Sequence, residues 1–347
     1  MLLRNVSFTP VPTRQMTDPK ALSLPVSYAT FGVVPQQNPP IPPDQLNRNP
    51  SATYEASITL LALLKHGDLA NAKELADSLD YALHHDNHGD PLPLAPDQSA
   101  GLHNAYESGD IALLNDQSSG GGKAGDVRLA GFTASYCGAT SYCLVLDGAT
   151  GGNNAFAILA LAAAYQQFSN TTYLNDALEI GNWIYGILLD NTNMGYGGYY
   201  QGYTDGGPPH SLIFGKSTEN NADIFAAFTA LAAFEQQLGN PGLASVWTTR
   251  ANIAGDFVMM YDPENGRFNA GAVPAGTQAS YGVCPNGPQK GSDVINTCDF
   301  VDSDTFPTLA LAGTQRYGGQ IDWTGRSSMC GECFRRNSGL AVRCSRV

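Results

Sequence analysis

Hydrophobic residues recur at helical spacing from residue 51 onward, and they group the chain into pairs of helices. The first helix is predicted to begin with Ser51 as its N-cap and to end at the polar residues 66–68. A second amphipathic helix follows from Leu69 to about Leu83, with leucine and alanine on one face. Because only a short polar turn separates the two, we expect them to form an antiparallel hairpin.

The same two-helix pattern recurs along the chain. Apolar helical segments are predicted over residues 153–170 and 174–187, and again over 220–240 and 243–257, and residues 302–311 begin one more. Self-similarity on this scale is typical of repeat architectures. Alanine-rich first helices and long connections favour a closed ring over an open superhelix. The sequence therefore predicts an all-α, (α/α)6-type toroid with long loops and little strand content.

Three regions are predicted from composition. Residues 1–50 are rich in proline and are expected to form an extended lead-in. Residues 51–323 are predicted to form the α/α toroid as a catalytic domain, and residues 324–347 an irregular tail rich in cysteine and arginine. Since six hairpins need more helix than that tail supplies, we expect the toroid to be incomplete at its C-terminal end.

The composition of the 347-residue chain combines few charges with many turn-forming residues. Charged residues make up 14%, beside 38 glycines and 21 prolines, which is typical of close-packed elements joined by turn-rich loops. With 18 basic and 31 acidic residues the net charge is -13, which argues against nucleic acid, anionic membranes and polyanionic substrates as partners. The longest uncharged apolar stretch, Ala155–Tyr165, is too short to span a bilayer.

The chain has seven cysteines, four of which bracket loops. Cys284 and Cys298 flank a loop of glycine, proline and asparagine, and Cys137 and Cys143 flank a shorter one. Loop-closing disulfides and free thiols are both open interpretations, because pairing depends on the compartment. The N-terminus has no convincing signal-peptide apolar region.

Two groups of potential metal ligands occur in the sequence, and neither completes a site. Cys330 and Cys333 form a Cys-x-x-Cys pair that lacks a second pair or a nearby histidine. His84, His85 and His88 follow a predicted helix end, where a solvated cation is the ordinary explanation. The sequence also lacks a Walker-type loop and a His-Glu-x-x-His motif. We therefore expect no metal and no cofactor.

Carboxylates and amides stand at the predicted starts of the first helix of each pair. The candidate catalytic residues are Glu55, Asp147, Glu219, Asp223 and Asp302. In a toroid these helix starts face one mouth, where helix dipoles stabilise anionic side chains. Inverting cleavage of a glycosidic bond needs a protonated and an ionised carboxyl group about 6.5–9.5 Å apart, and crowding raises the pKa of at least one. Ordinary helix caps and first-turn acids remain the alternative interpretation.

Asparagine pairs and tyrosines near the same helix starts are candidate sugar ligands. The predicted substrate-binding residues are Tyr54, Asn153, Asn154, Asn220, Tyr199 and Tyr200. Tyrosines in the glycine-rich loop 195–205 offer flat surfaces on which sugar rings stack. The alternatives are that the asparagines cap helices and that the loop is a hairpin whose tyrosines pack on the ring. Trp183 and Trp247 occupy matching places in the second helices and are predicted core residues.

Five segments of the chain resemble bacterial proteins of the six-hairpin glycosidase-like superfamily, which have an (α/α)6 toroid. They are residues 54–57, 102–110, 152–155, 216–228 and 302–306. The resemblance implies that Glu55, Glu219, Asp223 and Asp302 point into the cleft. This chain differs at two places, since relatives have Tyr-Asp at Tyr54–Glu55 and Glu-His-Asn at residues 219–221. The second difference removes an imidazole from the cleft.

Together these features predict a glycoside hydrolase, secreted or periplasmic, that cleaves a neutral, β-glucan-like poly- or oligosaccharide by inversion. Glu219 is the expected general acid and Asp302 or Glu55 the base, with Asp147 and Asp223 in support. One alternative is a lyase or epimerase acting on a uronate polymer. Such an enzyme needs a cation near the site, and the scarcity of basic residues near the candidate helix starts, with Lys216 as the exception, counts against it. The other alternative is a non-catalytic toroid that binds carbohydrate.

Overall fold

The computed structural model describes most of the predicted helical region. The described residues are 22–25, 50–85, 92–110, 132–133, 142–143, 148–204, 211–262, 264, 266–321 and 323. The predicted lead-in is described only at residues 22–25 and 50, and the predicted tail, Asp147 and Cys137 lie outside the described residues.

Seven α-helices lie in the part of the chain that the structure describes. They are α1 (Thr53–His66), α2 (Leu69–His85), α3 (Gly151–Phe168), α4 (Thr171–Trp183), α5 (Thr218–Gln237), α6 (Pro241–Val258) and α7 (Val301–Leu311), and a π-helical turn, Ile184–Leu188, continues α4. Among the described residues, no helix combines the length and apolar character that crossing a bilayer requires.

The helix starts lie a few residues from the predicted ones, because other side chains act as caps. Thr150 caps α3 and Ser217 caps α5, each accepting a hydrogen bond from the backbone N–H three residues later. The asparagine pairs of these helices therefore lie inside the first turn. Ser51 is not the cap predicted for α1: it lies in a strand, and the N-cap, Ala52, makes no side-chain hydrogen bond. Gly67, at a φ of 83°, ends α1 as predicted.

The helices form three hairpins and the first helix of a fourth. Within the hairpins α1 packs on α2, α3 on α4 and α5 on α6, and the first helices lie side by side in the order α1, α3, α5, α7. We call α1, α3, α5 and α7 the inner helices. Helix α3 is apolar nearly all round and has ten buried residues, as expected for a helix with neighbours on several sides. The arrangement is an arc of an α/α ring, and a complete ring of six hairpins is not seen among the described residues.

The core lies between the inner and outer helices. Trp183 and Trp247 are buried there, at 0% and 3% exposure, which confirms their prediction as core residues. Trp247 packs against Phe228 of α5, with ring centroids 5.1 Å apart. Gly181 lets α4 approach this cluster, because an added Cβ would lie 2.8 Å from the Trp247 ring.

Short antiparallel strands accompany the helices, so the prediction of an all-α chain holds only for the main elements. They are β1 (Ser23–Leu24), β2 (Pro50–Ala52), β3 (Ala105–Glu107), β4 (Gly109–Asp110), β5 (Phe132–Thr133), β6 (Tyr142–Cys143), β7 (Ala149–Thr150), β8 (Gly202–Tyr203), β9 (Leu212–Ile213), β10 (Lys216–Ser217), β11 (Tyr261–Asp262), β12 (Arg267–Phe268), β13 (Gly271–Pro274), β14 (Gln289–Lys290) and β15 (Asp293–Asn296). The largest sheet has the order β10–β13–β15–β14, and β7, β8 and β9 form another.

Three of these strands run directly into inner helices, since β2 precedes α1, β7 precedes α3 and β10 precedes α5. Gly202 pairs with the cap residue Thr150, and Gly271 pairs with the cap residue Ser217. Both glycines have φ near 142°, and a Cβ on either would lie 1.9 Å from a carbonyl oxygen of the partner strand. The strand pairing therefore fixes where α3 and α5 begin.

Cys284 and Cys298 form a disulfide, which confirms the loop-closing interpretation for this pair. The disulfide joins the segment before β14 to the segment between β15 and α7. The shorter loop bracketed by Cys137 and Cys143 lies largely outside the described residues.

Candidate active site

Residues in the first two turns of the four inner helices contact one another. The second residues of α1, α3, α5 and α7 are Tyr54, Gly152, Glu219 and Asp302. The sixth residues are Ile58, Phe156, Asp223 and Phe306. We call the region around these eight residues the mouth. Three of the five predicted catalytic carboxylates belong to it.

Tyr54 shows that the predicted carboxylates are within electrostatic reach of one another. Burial raises the pKa of Tyr54, and the negative charges of Asp223, Glu219, Asp302 and Glu55 raise it further, to about 12. These acids come from three helices and span nearly 250 positions of the sequence. Four of the predicted catalytic residues therefore meet around one tyrosine.

Two carboxyl groups of α5 are held toward their protonated forms. Asp223 is 4% exposed, and burial followed by the charges of Glu219 and Asp302 raises its pKa to about 8. Burial and the charge of Asp302 also raise the pKa of Glu219. Glu219 and Asp223 are one turn apart on the same helix face, where like charges oppose joint ionisation. Neither carboxyl group makes a hydrogen bond or ion pair with another described residue.

The other two acids have different surroundings. Asp302 lies exposed in the first turn of α7, and Glu55 is half-buried in the first turn of α1. The neighbouring Asp304 is not part of the mouth, because its carboxylate accepts the backbone N–H of Phe268 at 2.9 Å. The mouth thus combines buried carboxyl groups with partly and fully exposed ones.

Gly152 leaves space for two of the polar side chains of α5. A Cβ at this position would lie 2.7 Å from Asn220 Oδ1 and 3.1 Å from Asp223 Oδ2. A larger residue would displace both groups. Asn220 also donates from Nδ2 to the carbonyl oxygen of Gln201, with a donor–acceptor distance of 3.4 Å.

Aromatic side chains at the mouth link three inner helices. Phe156 of α3 contacts Tyr54 of α1, with ring centroids 4.5 Å apart, and Phe306 of α7, with centroids 6.1 Å apart. All three rings are partly exposed. Sequence reasoning missed Phe156, Phe306 and Gly152. In the sequence these residues could have been found by their distance from the start of their helix, but only once the helix starts are known.

The predicted sugar-binding asparagines divide into two groups. Asn154 is fully buried: its Oδ1 accepts the N–H of Leu102, and its Nδ2 donates to the carbonyls of Leu102 and Thr150. Its prediction as a sugar ligand is wrong, because every polar atom of the side chain is used internally. Asn153 is partly exposed and donates to Asn104 Oδ1 at 2.8 Å.

Asn221 repeats the structural role of Asn154 one hairpin later. Its Oδ1 accepts the N–H of Tyr199, and its Nδ2 donates to the carbonyls of Tyr199 and Ser217. In each repeat, therefore, the second asparagine of the pair fastens an incoming backbone segment to the start of an inner helix.

The glycine-rich tyrosine loop packs on the ring, as the alternative interpretation held. Tyr199 is fully buried and donates its hydroxyl to the carbonyl of Arg250 at 3.0 Å, so its prediction as a sugar platform is wrong. Tyr200 is partly exposed, packs edge-on against Phe214 and donates its hydroxyl to Asp190. Of the two tyrosines predicted to bind substrate in this loop, only Tyr200 has a ring that solvent reaches.

A buried ion-pair network lies directly before α5. Lys216 Nζ is 2.5 Å from Asp190 Oδ2 and 2.6 Å from Asp293 Oδ2, and all three side chains are nearly inaccessible to solvent. Burial by itself would raise the pKa of Asp190, but hydrogen bonds from Lys216 and Thr192 outweigh it and lower the pKa to about 2. The network joins the end of α4, β10 and β15, and its lysine is already paired with two carboxylates.

No protein-family model matches the chain, and no curated protein matches it by sequence. Solved structures do match it at low identity. A family 76 α-mannanase from Bacteroides thetaiotaomicron is 15% identical, with 81% of this chain and 61% of the mannanase covered and a TM-score of 0.48. The unsaturated glucuronyl hydrolase of Bacillus sp. GL1 is 13% identical, with coverage of 82% and 63% and a TM-score of 0.43.

A further match is a family 76 mannosidase from Bacteroides thetaiotaomicron, 12% identical with a TM-score of 0.39, which covers 57% of this chain and 48% of the mannosidase. The chain thus spans about half to two thirds of the length of these structures.

Proposed function

We propose that the mouth of the inner helices is the active site of a glycoside hydrolase, which cleaves a neutral poly- or oligosaccharide by acid/base catalysis. The observation that carries the proposal is the meeting of Glu219, Asp223 and Asp302 in unequal surroundings. Acid/base cleavage requires one carboxyl group that keeps its proton and one that does not. Burial raises the pKa of the two α5 acids, while Asp302 is exposed to solvent.

Glu219 acts as the general acid and Asp302 as the base that activates water. They occupy the same position on neighbouring inner helices, and packed helix axes are typically about 8–10 Å apart. Carboxyl groups in the first turns of two such helices can reach the separation of about 6.5–9.5 Å that an inverting mechanism needs. Asp223, one turn deeper, holds a proton at neutral pH, while burial and the charge of Asp302 favour the protonated form of Glu219. Glu55 is the alternative base.

The surroundings of the mouth favour a neutral substrate over a uronate polymer. A lyase or epimerase must neutralise the carboxylate of its substrate, but Lys216 is buried between Asp190 and Asp293. Such an enzyme also needs a basic tyrosine or histidine, and the raised pKa of Tyr54 opposes formation of a tyrosinate. These two observations count against the alternative.

The partly exposed rings of Tyr54, Phe156 and Phe306 offer the stacking surface that a sugar ring requires. A β-glucan-like substrate, whose pyranose faces are largely apolar, suits this surface. The disulfide between Cys284 and Cys298 supports a secreted or periplasmic location, since such bonds persist in oxidising compartments.

The proposal is tested by measuring reducing-sugar release from a panel of neutral glucans and other neutral polysaccharides. We expect Glu219→Gln and Asp302→Asn to lower kcat on the order of 10²–10⁴-fold, the range typical of general acid/base groups. Asp304→Asn is the matched control, because an asparagine still accepts the Phe268 N–H and the residue lies outside the mouth.

Unchanged activity in both mouth variants would refute the assigned roles. Release of unsaturated products from uronate polymers, seen as ultraviolet absorbance, would instead support a lyase. Binding of glucans by the wild-type protein with no turnover on any of the polymers would identify a carbohydrate-binding toroid.

A further inference from the structure

A second group of polar side chains lies between the outer helices α2 and α4. His84 Nε2 is 3.0 Å from Asp176 Oδ1 and 3.5 Å from Asp80 Oδ1. Asp80 and His84 are one turn apart on α2, and Asp176 faces them from α4. One potential ligand atom from each of the three residues lies within 4.8 Å of the other two.

Asp176 carries an unsatisfied oxygen into this group. Its side chain is only 3% exposed, and Oδ2 has no hydrogen-bond partner in the described part of the chain. Buried carboxylate oxygens are ordinarily hydrogen-bonded or bound to a cation, because an unpaired one loses its hydration without compensation. Asp80 brings a second carboxylate and so adds negative charge rather than a donor. Among the described residues, the imidazole of His84 is the one positive partner of these two carboxylates.

The spacing of the ligand atoms fits a small tetrahedral cation. A zinc ion bound at about 2.0–2.2 Å to nitrogen and oxygen ligands separates those ligands by about 3.3–3.6 Å. The distance from His84 Nε2 to Asp80 Oδ1, 3.5 Å, lies within that range, and the distance to Asp176 Oδ1, 3.0 Å, is about 0.3 Å shorter. The side chains of His84 and Asp80 are 40% and 33% exposed, which leaves an approach for the ion and a fourth position for water.

We propose that Asp80, His84 and Asp176 form a binding site for a divalent transition-metal cation, with zinc the best fit. The ion would satisfy the buried oxygen of Asp176 and join α2 of the first hairpin to α4 of the second. This role is structural and separate from the mouth, whose carboxyl groups come from the inner helices. The expectation from the sequence that His84 has no metal is revised accordingly, with ligands that come from Asp80 and Asp176 rather than from neighbouring histidines.

The test is titration of the full-length, metal-stripped protein with Zn²⁺, followed by calorimetry and by thermal unfolding. We expect the wild type to bind one zinc ion more per chain than His84→Ala, and zinc to raise its Tm more than that of the variant. Asp176→Asn, which keeps the size of the side chain, should weaken binding at this site by at least about tenfold. Circular dichroism checks that both variants fold.

His85→Ala is the matched control. His85 is the next residue on α2 but stacks on Tyr81 and bonds the Tyr81 carbonyl, so zinc binding should be unchanged. Substitution of Co²⁺ gives a second readout, since a tetrahedral cobalt site absorbs visible light and the band should vanish in His84→Ala. Equal zinc binding by the wild type, His84→Ala and Asp176→Asn would overturn the proposal, as would no binding by the wild type.

Discussion

Replacing Asp223 by asparagine should stabilise the folded protein while impairing the proposed activity. The carboxyl group is 4% exposed and faces the charges of Glu219 and Asp302, and its pKa is about 8 in place of the ordinary 3.8. Below pH 3.8 the carboxyl is protonated in the folded and unfolded chains, and this group costs no stability. As the pH rises, the unfolded chain ionises first, so the folded state loses stability until the pH passes 8.

The magnitude follows from the difference between the two pKa values. Each pH unit between 3.8 and 8 removes about 1.4 kcal/mol, so the cost is about 3 kcal/mol at pH 6 and about 5–6 kcal/mol above pH 8. Asparagine has nearly the same shape and does not ionise. Asp223→Asn should therefore gain stability relative to the wild type with rising pH over this window.

Urea unfolding of both proteins from pH 4 to pH 9 measures this difference. The midpoint for Asp223→Asn should rise relative to the wild type as the pH increases, with unchanged m-values. Asp68→Asn is the control, since Asp68 lies exposed after α1 and the side-chain oxygen of an asparagine can still accept the backbone N–H of Asn71. A stability difference that stays constant over the whole pH range would refute the reasoning. Sugar release by Asp223→Asn at pH 6 shows whether the stabilised variant has lost function.

Two further predictions concern the groups that hold the starts of the inner helices α3 and α5. Lys216→Met removes the cation between two buried aspartates, and we expect a loss of about 3–5 kcal/mol in the free energy of unfolding, measured with urea. Adding Asp190→Asn and Asp293→Asn to this variant should recover much of that loss, because no buried charge is then left unpaired. Asn154→Ala and Asn221→Ala each leave buried backbone groups unpaired, and each should cost about 1–3 kcal/mol. A loss below 0.5 kcal/mol in either asparagine variant would contradict equivalent roles in the two repeats.

The main helices were predictable from the sequence because they depend on local periodicity. Three hairpins and the start of a fourth follow from apolar spacing, and the polar turn at Gly67 ends the first helix where expected. The capping residues were predicted less well. The side chains of Thr150 and Ser217 cap their helices, and strand pairing with distant segments positions both residues. The only sign of that pairing in the sequence is the two glycines, Gly202 and Gly271.

The acids of the candidate site could be predicted from the sequence, but the residues that surround them could not. Carboxylates at helix starts are few in this chain, so the grouping of Glu219, Asp223 and Asp302 followed once the helices were placed in a ring. Tyr199 and Asn154 were misassigned because an aromatic or amide side chain looks the same in sequence whether it is exposed or buried. Their burial depends on the packing of loops between hairpins, which the periodicity of single helices does not encode.

Asparagines and strand glycines hold the starts of the inner helices. These helix starts are therefore positioned independently of the loops that connect the hairpins. The hydrogen bonds of Asn154 and Asn221 hold the starts of α3 and α5 against their neighbouring backbone segments, whatever the sequence of the loops between them. Under the proposed function, replacing loops between these two asparagines should therefore change the preferred polymer without moving the acids. Substrate preference and catalysis would then depend on separate parts of the proposed enzyme.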